Sequence, residues 1–209
     1  MLLLGIVGEY SLTCIVGYVS KNKDGTKRIY ISADRGIFMC GEANEILEYH
    51  ISPSPKIFKK SFNLGKNEFI IGAAGSSSQC DNIEHMDFSK LKMTKKEQKS
   101  PALFLKEKFV PFVKEKLTLA NISLPDDMEL LIGICDHLFY IDWSFAVMEC
   151  PSYGYSIGSA SLPSRACLMT IEKVNKDNRI KPISIVKLAL QISESCSVEC
   201  KNPFDYLEL

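Results

Sequence analysis

The spacing of apolar and polar positions changes several times along the chain, and those changes outline its elements. Thr13 to Val19 is an apolar, β-branched run, K-N-K-D-G-T-K supplies a polar turn with Asp24-Gly25, and R-I-Y-I-S-A returns, which predicts a β-hairpin. The return strand ends at Ala33-Asp34-Arg35, leaving a carboxylate and a guanidinium where a strand runs into a loop. After a loop holding S-P-S-P, Lys56-Ile57-Phe58 resumes the extended pattern, and E-F-I-I-G-A-A-G is a near-continuous apolar run of the fully buried kind.

The middle of the chain switches to helical spacing. Cys80, Ile83 and Met86 share one face with Asp81 and Glu84 between them, and a charged loop follows from Lys90 to Lys99. Leu103, Phe104, Phe109, Val113 and Leu117 fit one face of a helix from Pro101 to about Leu119, which Pro111 should kink or split. Met128 to Ser161 is strand-like again, with a D-H turn after its first strand. Ser161 or Ser164 caps a following helix, and Ile183 to Ile192 forms another behind Pro182. S-C-S-V-E-C reads as a last strand. Strands, two central helices, strands, two helices and a strand make an α+β order, satisfied by two stacked, mainly antiparallel sheets with helices on both outer faces.

Composition narrows the partners. A chain of 209 residues with 46% hydrophobic and 24% charged residues suits one packed domain. Lys+Arg 25 against Asp+Glu 25 leaves no positive field for nucleic acid or anionic lipid. Eight scattered cysteines read as small hydrophobes of a reduced, cytoplasmic chain. Cys196 and Cys200 are the one close cysteine pair and lack a second Cys/His pair nearby, while His50, His85 and His137 are isolated, so no metal site is expected. M-L-L-L-G-I-V has no basic residue ahead of it, is interrupted by Glu9 and is too short to span a bilayer. It reads as an extra strand, a misassigned start or a propeptide.

Five short motifs, in order, resemble the proteasome β-type subunits, including HslV and shorter bacterial and phage relatives. Thr13-Cys14-Ile15-Val16-Gly17 is similar to the mature start of that family, and Ala33-Asp34-Arg35 to its acidic motif. Lys56-Ile57 resembles its buried lysine, Ala74-Gly75-Ser76 its glycine turn, and Ile157-Gly158-Ser159-Ala160 its Gly-Ser-Gly turn. The resemblance implies a four-layer αββα sandwich of the N-terminal-nucleophile hydrolases over residues 13–209, with residues 1–12 as a propeptide or extension. It further implies a homo-oligomeric ring acting on peptides or unfolded proteins, with an ATPase unfoldase as partner. The chain departs from the family at Leu12, where self-processing members carry glycine, and at Glu194-Ser195-Cys196-Ser197, where an aspartate is usual. Ala160 stands in place of a second glycine.

The chemistry of these residues is consistent with that likeness. A threonine hydroxyl needs a base, and an N-terminal Thr13 would supply its own α-amine, with a pKa of about 8. Lys56 would lower the pKa of the hydroxyl or amine and Asp34 would hold Lys56 charged. The Gly75 N–H would stabilise an oxyanion, and Ser159 would complete the hydrogen bonds around the new terminus. This chemistry needs no cofactor. Two other readings stand beside the peptidase: an unprocessed, catalytically silent scaffold subunit, and an amidase using Cys14, whose side chain should point opposite to that of Thr13.

Overall fold

The computed structural model describes residues 8–11, 13–22, 24–40, 46–63, 67–120, 128–176 and 179–209. Its strands form two sheets. The larger runs β10 (Val147–Glu149), β9 (His137–Ile141), β8 (Glu129–Ile134), β7 (Asn67–Ser76), β1 (Gly8–Ser11), β4 (Gly36–Cys40), β5 (Ile46–Ile51), with β6 (Ile57–Phe62) also on β7. The smaller runs β11 (Tyr155–Ile157), β2 (Ile15–Lys21), β3 (Lys27–Asp34), β12 (Phe204–Glu208). All described pairings are antiparallel.

Three apolar clusters separate four layers. Ile15, Ile31, Ile57, Ile70 and Leu131 fill the space between the sheets. The sheets meet closely there: a Cβ at Gly72 would lie 2.7 Å from the Ile15 side chain, and one at Gly133 as close to Ile29. The outer face of the larger sheet is covered by α1 (Ser77–His85), α2 (Lys95–Lys99), α3 (Pro101–Phe104), a π-helical turn (Leu105–Phe109) and α4 (Val110–Leu119). Phe62, Phe69, Phe88, Phe104 and Phe109 pack there, each fully buried ring contributing about 1.5–3 kcal/mol. On the other side α5 (Ser161–Val174) and α6 (Pro182–Cys196) cover the smaller sheet through Val16, Leu168, Val186 and Leu190. This is the expected αββα sandwich.

Several local expectations are corrected. The stretch after Asp34, expected as a loop, contains the β4–β5 hairpin. The charged loop ending at Lys99 contains α2, held by Thr94 and Glu97. Pro111 does not split its helix: the Val110 N–H bonds to the Leu105 carbonyl, and this wider turn lets the helical path continue to Leu119. The turn between β8 and β9 is Cys135-Asp136, both at positive φ as a two-residue hairpin of this twist requires, and His137 already belongs to β9. Ala160, rather than Ser161 or Ser164, is the N-cap of α5, because Ser164 turns inward to α6. S-C-S-V-E-C is no strand: α6 continues to Cys196, since buried Ser193 extends its inner face, and the last strand is Phe204–Glu208, paired along β3.

The three readings of M-L-L-L-G-I-V fall on residues 1–7, which with Leu12 lie outside the described residues; a strand, β1, follows at Gly8–Ser11. No helix among the described residues is long and apolar enough to cross a membrane, and none of them forms a group of three metal-ligating side chains.

Candidate active site

The chain changes sheets at Thr13. Immediately before it, β1 lies in the larger sheet, and immediately after it β2 begins in the smaller one. Along β7 the partner changes within the larger sheet: β6 pairs with residues 67–72, and β1 takes over with Ser11 opposite Gly75 and Tyr10 opposite Ser76. Thr13 is fully buried at this crossing.

Its backbone is gripped by the turn that follows β11. The Thr13 N–H donates to Ser159 Oγ at 3.2 Å, and the Ala160 N–H donates to the Thr13 carbonyl at 3.3 Å. Gly158 makes this approach possible. Its φ is +89°, and a Cβ there would lie 2.1 Å from the Thr13 oxygen. Gly75 has φ +138°, and a Cβ there would press on the Met128 backbone at 3.1 Å, which bars larger residues opposite Ser11.

Asp34 and Lys56 lie on the other side of the same turn of chain. The Asp34 carboxylate accepts the Cys14 N–H at 2.8 Å, the Gly36 N–H at 3.0 Å and the Lys56 ammonium at 3.2 Å. Lys56 also donates to the Gly36 carbonyl at 2.6 Å, and its own carbonyl accepts the Ala73 N–H, fixing it to β7. Asp34 is 0% and Lys56 4% exposed. Burial pushes the Asp34 carboxyl above its ordinary value, against the Lys56 ammonium and two backbone N–H groups that pull it down.

Thr13, Asp34, Lys56, Gly75 and Ser159 are thus linked around one crossing: Ser159 bonds Thr13, Asp34 bonds Cys14 and Lys56, and Gly75 lies opposite Ser11. Arg35 is not part of it: its guanidinium makes a two-pronged pair with Asp205 of β12, at 2.6 Å for each bond. Glu194 and Ser195 also turn away, Glu194 to the Asn202 amides and Ser195 to the Gln191 carbonyl. On the inner face of α6 it is Ser193 that approaches the turn, donating to the Ala160 carbonyl at 2.8 Å and touching Ser164 Oγ at 2.5 Å.

Cys14 points away from this cluster, into the core under α5 and α6, with Ser164 Oγ at 3.1 Å and Ser156 Oγ at 3.7 Å. The neighbouring Cys200 thiol lowers the Cys14 pKa, and Cys14 in turn raises that of Cys200, whose thiol lies 3.7 Å from the Leu190 carbonyl. A small pocket of about 40 Å³ opens beside Lys56, walled by Ile37, Phe58, Ser77, Asp81 and Glu84.

Sequence reasoning missed Glu129. Its carboxylate accepts the Gly158 N–H at 2.7 Å and the Tyr140 hydroxyl at 2.6 Å, although 29 residues separate it from Gly158 and no motif marks it.

Comparison with protein families and with curated proteins returns no match. Solved structures do resemble the chain. BPH of Thiobacillus denitrificans in complex with epoxomicin superposes with a TM-score of 0.66 at 14% identity, over 94% of this chain and 97% of that one. Eukaryotic HslV from Trypanosoma brucei gives 0.57 at 15% identity over 93% and 98%, and Anbu from Yersinia bercovieri 0.59 at 12% over 94% and 80%.

Proposed function

We propose, from the proteasome-like β-subunit fold that this chain shares with those structures, that it is a threonine-type endopeptidase subunit whose nucleophile is Thr13. The observation that carries the reading is the course of the chain at Thr13. A strand lies against Gly75 and Ser76 just before it, as a peptide awaiting cleavage would, and Ser159 holds the nitrogen that cleavage would free.

Removal of residues 1–12 would follow from attack of Thr13 Oγ on the carbonyl carbon of Leu12. The new C–O bond forms as the amide C–N bond breaks, the hydroxyl proton passes to the departing nitrogen, and water hydrolyses the ester. The freed amine then takes the Thr13 hydroxyl proton as Oγ attacks a substrate carbonyl. Lys56, held by Asp34, favours the deprotonated nucleophile, and the Gly75 N–H carries the oxyanion. The amine returns its proton to the leaving nitrogen, and water releases the acyl group. Asp81 and Glu84 line the small pocket beside Lys56 and would favour a basic substrate group at its mouth.

Such subunits work as a homo-oligomer that encloses its sites, with an ATPase unfoldase delivering the substrate in the cytoplasm. The helical assembly reported for Anbu from Pseudomonas aeruginosa supports assembly of this fold. A second reading, an unprocessed silent structural subunit, is favoured by Leu12, which stands where self-processing family members carry glycine. Left in place, β1 pairs with β4 on one side and β7 on the other.

Intact mass and N-terminal sequencing of the purified, assembled protein separate the two. A chain beginning at Thr13 that cleaves reporter peptides, and a Thr13→Ala variant that stays full-length and inert, are the expected results. A wild-type chain still beginning at Met1 or Leu2 assigns the silent role.

A further inference from the structure

We propose that Glu129 is a positioning residue for the Thr13 nitrogen, acting through the Gly158–Ala160 turn. The inference rests on the peptidase reading and adds to it a residue that does not itself touch Thr13.

Glu129 opens β8, opposite Ala74 of β7 and therefore one residue from Gly75. From the larger sheet its carboxylate reaches across to the turn that follows β11 in the smaller sheet, where Oε2 takes the Gly158 N–H at 2.7 Å. The turn it holds supplies two contacts to the Thr13 backbone, Ser159 Oγ on the nitrogen and the Ala160 N–H on the carbonyl. Gly158 sits so near the Thr13 carbonyl that it has no room for a methyl group, so a small shift of this turn is felt directly at Thr13.

The carboxylate is itself oriented. Oε1 accepts the Tyr140 hydroxyl at 2.6 Å, the Tyr140 ring packs on Tyr155 at 5.0 Å, and the Arg165 guanidinium lies 4.2 Å over the Tyr155 ring while donating to the Ser156 carbonyl. This chain of contacts joins β9, β11 and α5 around the turn. Because Glu129 follows Met128, whose backbone packs on Gly75, one short segment sets the spacing between the Gly75 turn and the Ser159 turn. A carboxylate can accept two hydrogen bonds in this way with no proton of its own, and bonds to a charged acceptor are stronger than neutral ones.

The test uses processed enzyme carrying Glu129→Ala or Glu129→Gln, and follows both peptide cleavage and hydrogen exchange at the Gly158 and Ser159 amides. The alanine variant should lose roughly tenfold to a hundredfold in kcat with KM within about twofold, and exchange at Gly158 should accelerate while that at Ile132 in mid-β8 does not. The glutamine variant should recover most of kcat, because its amide oxygen still accepts the Gly158 N–H and its NH2 can donate to the Tyr140 oxygen. Unchanged kcat in the alanine variant, or no recovery with glutamine, overturns the proposal. If the alanine chain does not fold, glutamine with Tyr140→Phe decides: adding the second change should lower kcat below that of Glu129→Gln alone, and no change overturns the proposal. If wild-type protein shows no peptidase activity, the peptidase reading fails, while the exchange rates still report whether Glu129 holds the turn.

Discussion

At the scale of single residues, the Asp34–Lys56 pair shows how burial and charge compete. Two charges removed from water cost several kcal/mol each, and this pair is sustained by the ammonium, two backbone N–H donors and the Gly36 carbonyl acting together. Lys56→Met strands a buried carboxylate, and the expected loss is about 3–5 kcal/mol of stability near neutral pH. The loss depends on pH in a definite direction. Burial already raises the folded-state pKa of Asp34, and removing the ammonium raises it further, so the fold favours the protonated form. Stability of the variant is therefore kept at low pH and lost as pH rises from about 4 through the raised folded value. Urea unfolding at pH 5 and pH 8 should show the larger deficit at pH 8, and adding Asp34→Asn should restore much of it.

Among the elements, α2 illustrates a helix too short to persist by propensity, with five residues and three lysines. Its termini are held from outside. The Thr94 N–H and hydroxyl donate to Glu97 at 2.6 and 2.7 Å, and the Lys108 ammonium from the π-helical turn reaches the same carboxylate at 2.7 Å. Lys108 first, then the Thr94 bonds, lower the Glu97 pKa to about 2. A depressed carboxylate stabilises the fold above its ordinary pKa of 4.5 and ceases to do so as pH falls towards 2. Glu97→Gln should cost about 1 kcal/mol at pH 7, measured by urea unfolding, and the difference from wild type should shrink between pH 4.5 and 2.

In the molecule as a whole, the layers decide which thiols meet solvent. Cys14 and Cys200 are buried beneath α5 and α6, Cys150 is pushed by burial up to about 12, and Cys196 stands exposed at the end of α6. Among the seven cysteines whose burial is described, brief alkylation of the native protein at pH 8, mapped by mass spectrometry, should label Cys196 first and Cys14 and Cys200 last. Early labelling of Cys14 would revive it as a nucleophile. The same layering puts Thr13 where the chain crosses from one sheet to the other, so that cleavage there would free a nitrogen already bonded to Ser159.

The sequence by itself determined the elements whose signals are local. The Asp24-Gly25 hairpin, the apolar run into Gly75 and the helical faces of Ile83, Val113 and Val186 follow from spacing and turn chemistry within a few residues, and the structure has them in place. The short motifs around Thr13, Asp34, Lys56, Gly75 and Ser159 were singled out by their order along the chain and their resemblance to one family. Only the tertiary structure decided the rest. That Glu129 holds Gly158, that Ser193 rather than Glu194 faces the turn, and that Phe204–Glu208 pairs along β3 depend on contacts between distant segments. Such contacts are set by how the sheets stack and how the chain crosses between them, and no periodicity along the chain records a distance across that stack.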